Sequence, residues 1–175
     1  MSTVQRVNFE PVRDVLPIQR GEFPLVDPTL ADPYNAVCLV DGEWMVLDPL
    51  ISGKMVRAAT ITIVSNLCTT HPYPLWAERG RTDVLGKAER SMPILWLGSW
   101  EFDTRIFDAT VVVVGGAAIT AIDQAVTVAT ITIGTRNYVG LVGWTVGCLG
   151  TVVGRVTKLP AANGGKLRIR GGMLY

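Results

Sequence analysis

Four groups of residues in this sequence have types and spacings that could support chemistry. Cys68 and His71, in Cys-Thr-Thr-His, stand at a plausible metal-ligand spacing. A structural zinc site takes four such ligands, and Cys38 and Cys148 supply no second close pair. His71 is the sole histidine. No Gly-x-Ser-x-Gly occurs, and no cysteine sits in a known catalytic context. His71 therefore reads as a hydrogen-bonded loop residue, and no metal is expected.

Glu101 and Asp103, in Trp-Glu-Phe-Asp, fall on one face of a strand by simple alternation. Paired acids are the equipment of glycoside hydrolysis. The commoner use of such a pair is as surface charges facing Arg105 or a neighbouring basic strand. The run "VVVVGGAAITAI" resembles a strand entering a phosphate-binding turn. It lacks both GxGxxG and GxxxxGK[ST], and β-branched residues follow it instead of helix formers. A turn or bulge is the expectation there, with no cofactor. Glu78, Arg79, Arg81 and Asp83 crowd around Gly80 beside Trp76. They form either a solvated turn or the polar rim of an interface around an aromatic anchor.

The elements that position these residues follow from composition and pattern. At 175 residues, 49% hydrophobic and 18% charged, the chain suits one domain that buries a core without disulfides. Few charges leave apolar surface that favours a partner. Three cysteines with no close pair read as buried thiols in a reducing compartment. The N-terminal residues lack the layout of a signal peptide. The uncharged stretch Tyr138 to Gly154 is short of the ~18 apolar residues that a membrane helix needs. Its glycines and β-branched residues fit strands and turns, so no membrane is expected.

Residues 1–35 form one unit, an extended arm punctuated by Pro11, Pro17, Pro24, Pro28 and Pro33. Proline fixes φ and removes donors, while Phe9, Val12, Phe23 and Leu25 are too apolar for a disordered tail. Such a segment either wraps its own domain or reaches a neighbour. Residues 36–175 form a β-rich domain. Asp41-Gly42 between two apolar runs predicts a hairpin, and residues 84–90 predict one short helix. Short β-branched runs punctuated by glycine predict a mainly β protein, a small barrel or sandwich with at most one or two short helices.

A net charge of +1 argues against direct nucleic-acid binding, but its distribution along the chain is uneven. All fifteen acids lie at or before Asp123 with ten basic residues, a net −5, and the rest of the chain carries +6 with no acid. Split charge invites contact between copies or with another acidic surface. Alternatively, strand partners interleave the two signs within the fold. The closing stretch "VGRVTKLPAANGGKLRIRGG" predicts a hairpin. In it Lys166, Arg168 and Arg170 share one face, and Leu167 and Ile169 share the other.

Taken together, "FPLVDP", "LVDGEWMVLD", "PLWAERGRTDV", "ILWLGSWEFDTRIFD" and "VVGRVTKLPAANGGKLRIRGG" resemble segments of tailed-bacteriophage structural proteins, nearest to capsid decoration (cement) proteins. That resemblance covers about two thirds of the chain and involves no catalytic letters. It implies a non-enzymatic protein on the outside of a virion, made in the host cytoplasm. Its implied partners are the major capsid protein and other copies of itself, as a trimer. Phe9, Arg13, Phe23, Trp76, Arg79, Arg81, Lys166, Arg168 and Arg170 are the expected contact residues. A tail-tube or head–tail connector component is the alternative of the same kind. A small β-barrel enzyme or ligand-binding protein using Glu101, Asp103 or His71 is the alternative of another kind.

Overall fold

The computed structural model describes residues 9–14, 19–25, 27, 39–40, 42–48, 54–58, 73–74, 91–97, 99–110, 116–146, 152–161 and 165–172. Twelve strands run through them: β1 (Phe9–Asp14), β2 (Gln19–Pro24), β3 (Trp44–Leu47), β4 (Met55–Arg57), β5 (Tyr73–Pro74), β6 (Ser91–Leu97), β7 (Ser99–Thr104), β8 (Gly116–Ala117), β9 (Ala125–Ile133), β10 (Arg136–Trp144), β11 (Gly154–Lys158) and β12 (Leu167–Gly172). The protein is mainly β, and no helix occurs among the described residues. The short helix expected over 84–90 lies outside them, as do Cys38, Cys68, Cys148 and His71.

Seven strands build the large sheet in the order β1-β7-β12-β11-β9-β10-β8. A smaller sheet has the order β4-β3-β5, and β2 pairs with β6 alone. The longest hairpin joins β9 to β10 in register from Arg136↔Ile133 to Gly143↔Val126. Its two-residue turn, Gly134-Thr135, puts glycine at φ 65 in the first central position, where a type II′ turn takes it.

The large sheet curls strongly. Phe107, just beyond β7, makes a parallel bridge with Leu141 of β10, supported by Leu141 N–H to Ile106 C=O at 3.0 Å and Asp108 N–H to Leu141 C=O at 2.9 Å. The second strand of the sheet thus leads back to the sixth. A single bridge does not make a ladder, and of the expected barrel or sandwich the described residues show a curled half-barrel.

Part of the expected arm lies among the described residues. Within residues 1–35, the described strands β1 and β2 pair with β7 and β6 of the same chain. Proline is tolerated here because β1 is an edge strand whose register shifts between Pro11 and Arg13, the usual place for a residue lacking an N–H.

Two apolar clusters fix the layers. The larger joins Trp44, Val46 and Ala58 of the small sheet region to Trp100, Phe102, Val126, Val128, Leu141, Val156, Leu167 and Ile169 of the large one. Trp44, Trp100 and Phe102 form its aromatic centre, with ring centroids 4.5 to 6.1 Å apart, the range in which tilted rings attract. The smaller cluster, Ile106, Ala129, Ile131 and Val142, covers the other side of β9 and β10. Those two strands are therefore apolar on both faces, as strands buried on both sides must be.

The Asp41-Gly42 expectation is half met. Glu43 N–H donates to Val40 C=O at 3.1 Å with Gly42 at φ 89, so a tight turn forms. No hairpin follows from it, because β3 has β4 on one side and β5 on the other.

Candidate functional site

The terminal hairpin forms as the alternation predicts, and it forms inside the sheet. β12 lies between β7 and β11. Leu167 and Ile169 are fully buried, which turns Arg168 and Arg170 to the opposite, outer face. The register then sets acid against base: Arg168 faces Asp103 and Arg170 faces Glu101. On the far side of β7, Arg13 is in register with Glu101 and Glu10 with Asp103.

Arg168 grips Asp103 as a fork. Its Nε donates to Oδ1 at 2.7 Å and its Nη2 to Oδ2 at 3.0 Å. The side chains are 29% and 16% exposed. Short, paired and partly shielded bonds of this kind are the strong ones. The hydrogen bond to Asp103 raises the Arg168 pKa further, with charge attraction from Asp103 and Glu101 adding to it against some desolvation. Glu101, itself buried, accepts a bond from Thr157 Oγ1 at 2.7 Å. Arg155, 58% exposed, donates through Nη1 to the Asp123 carbonyl at 2.8 Å and lies 3.5 Å from its carboxylate, 80% exposed.

The charge split of the chain is thus resolved in part within the fold, because the acid that Arg168 meets is the chain's own Asp103. The other edge of the hairpin is different. β11 and β12 set Arg155 opposite Arg170 and Lys158 opposite Arg168, two rungs of like charge. Arg155, Lys158 and Arg170 are all exposed.

Of the contact residues expected from the sequence, Arg168 and Arg170 come together on this face, and Lys166 lies half-buried just before β12. Phe9 and Arg13 lie in β1 and Phe23 in β2, away from the hairpin strands in chain order but joined to β7 and β6. Trp76, Arg79 and Arg81 lie outside the described residues. No group of three potential metal ligands occurs among the described residues, and no helix among them is long and apolar enough to cross a membrane.

One site escaped the sequence reading. Glu43 is fully buried and pairs with Arg57 at 3.1 Å. Its Oε2 also accepts Val40 N–H at 2.9 Å, and its Oε1 accepts Val139 N–H at 3.3 Å. It ties its own turn, β4 and β10 together. Nothing in "LVDGEWMVLD" distinguishes this glutamate from a solvated turn residue.

The fold places the chain in the class of mainly β proteins with a curled, open sheet. No family model matches the chain, and neither a curated protein nor a solved structure does. The descriptions bacteriophage, virion, capsid decoration and homotrimer, which came with the sequence resemblance, therefore have no relative behind them and are withdrawn.

Proposed function

We propose that this protein is structural rather than catalytic: a β-sheet subunit that adheres to the surface of a larger protein assembly and braces it. One observation carries this reading. Glu101 and Asp103, the acids best placed for hydrolytic chemistry, are already committed to Thr157 and Arg168 on a sheet face. A general acid or base must have its proton-carrying oxygens within reach of a substrate. Here those oxygens serve the fold, and the exposed charges beside them are cationic.

Shell-bracing, tube-forming and connecting roles are all forms of this reading. Negative-stain microscopy of the purified protein, alone and mixed with preformed protein shells as a probe, separates them. Discrete particles that add to shells support bracing, and rods or rings formed alone support a tube or connector. A turnover that disappears in Glu101→Gln while the fold survives would replace the structural reading with an enzymatic one.

A further inference from the structure

We infer that the exposed face of the β11–β12 hairpin is a docking surface for an acidic protein segment, an inference that deepens the adhesive reading and rests on it. Like charges directly opposite one another on paired strands are destabilising. This hairpin carries two such rungs, Arg155↔Arg170 and, beyond the register shift between Val156 and Lys158, Lys158↔Arg168. Between them lies one inward rung, the buried Val156 opposite the buried Ile169, and Arg155, Lys158 and Arg170 are exposed. The outward positions are thus free of packing demands, and an acid at Lys158 would serve the fold better than a lysine.

Part of the repulsion is offset locally. Asp103 takes Arg168, and Asp123 takes Arg155. Both compensating acids lie on other elements, β7 and the turn before β9; the fork to Asp103 holds Arg168, and Asp123 lies beside the exposed Arg155. Lys158 and Arg170 stand exposed between them. A surface that keeps repulsive rungs and braces them from the side is preorganised for an incoming anion, which relieves the repulsion on binding.

The same geometry favours protein carboxylates over nucleic acid. Asp103 and Asp123 accompany the cations, with Glu101 beneath them. A duplex carries a negative charge about every 1.7 Å along its axis and would be set against these acids. Carboxylates on a protein segment can be spaced to meet Lys158 and Arg170 alone.

The test uses the full chain and two probes, a polyglutamate peptide and a DNA duplex of matched total charge, with binding followed across a salt series. Wild type should bind the peptide more tightly than the duplex. Lys158→Glu should weaken peptide binding roughly tenfold at low salt, with the difference shrinking as salt rises. The same variant should match or exceed the wild-type urea midpoint, because it converts a repulsive rung into an attractive one. Should Lys158→Glu fail to fold, the inference is overturned, since the rung would then be stabilising as it stands. The neutral Lys158→Gln gives a second reading, with intermediate binding and an undiminished midpoint. Tighter binding to the duplex, or peptide binding unchanged in both variants, overturns the inference. If Lys158→Glu adds to shells as wild type does, the adhesive reading survives and this surface falls.

Discussion

Glu43 accepts the backbone N–H of Val139, 96 residues further along the chain, at 3.3 Å. A fully buried carboxylate in a turn thereby fastens β3 and β4 to β10 of the large sheet. Burial of a charge is costly unless it is paired and hydrogen-bonded, and Arg57 with the backbone N–H groups of Val40 and Val139 does both here.

Removing that carboxylate should therefore be severe. Glu43→Leu leaves Arg57 at 19% exposure without this partner and should cost about 3 kcal/mol, the lower end of the range for breaking a buried pair. Glu43→Gln keeps the shape and part of the bonding and should cost about 1–2 kcal/mol. Urea unfolding followed by tryptophan fluorescence measures both, since Trp44 is the next residue. Equal and small losses in the two variants would show that the pair does not hold the sheets together.

Two glycines should resist substitution for different reasons. A Cβ at Gly171 would run into the Trp100 ring and come within 2.5 Å of the Val153 carbonyl oxygen. Gly171→Ala should cost about 1–3 kcal/mol, as overpacking does, and should disturb the near-ultraviolet circular dichroism of Trp100. At Gly134 a Cβ meets nothing within 4 Å, but φ is +65. Gly134→Ala should cost about 1–2 kcal/mol through backbone strain alone and leave the aromatic spectrum unchanged.

The Arg168–Asp103 fork should be insensitive to alkali. Because the folded-state pKa of Arg168 is raised, its contribution is complete below the ordinary arginine value and is lost only as pH climbs past the folded one. Arg168→Met should thus be less stable than wild type by about 1–2 kcal/mol. That difference should stay constant from about pH 7 to about pH 10. Arg168→Lys should restore less than half of it, because an ammonium cannot form the fork. A gap that closes toward pH 10 would contradict the assignment.

Thr157→Val tests the other acid. It deprives the buried Glu101 of its 2.7 Å donor and should cost about 1–2 kcal/mol, measured as a shift in the urea midpoint at unchanged slope.

What could be read in advance was whatever local pattern decides. Alternation in "GRVTK" and "LRIRGG" placed Leu167 and Ile169 inward and the arginines outward, and β9 was visible in "AVTVATITI". Partner choice was not local. A turn does close between Val40 and Glu43, yet β3 takes its neighbours from residues 55–57 and 73–74. Those pairings depend on which strand presents a complementary apolar face, and composition does not reveal that. The prolines of residues 1–35 suggest an extended segment that wraps its own domain or reaches a neighbour, and the one that falls in β1, Pro11, sits in an edge strand that tolerates it. Asp103 and Arg168 lie 65 residues apart, so the acid that answers the basic strand appeared only with the topology. Glu43 was hidden because exposed and buried glutamates look alike until their donors are known.

The position of β12 constrains how the molecule can be made. Downstream of every other strand described, it is the only one joining β7 to β11. During synthesis the β1–β7 pair and the β11-β9-β10-β8 group can each form early, but until β12 emerges only the Phe107–Leu141 bridge and side-chain packing connect them. Until then each piece shows a raw edge, the condition in which nascent chains stick to one another. Assembly from such distant segments is also slow. A tag or cut that disturbs residues 167–172 would therefore leave β7 and β11 with open edges and yield inclusion bodies, rather than a slightly weakened protein.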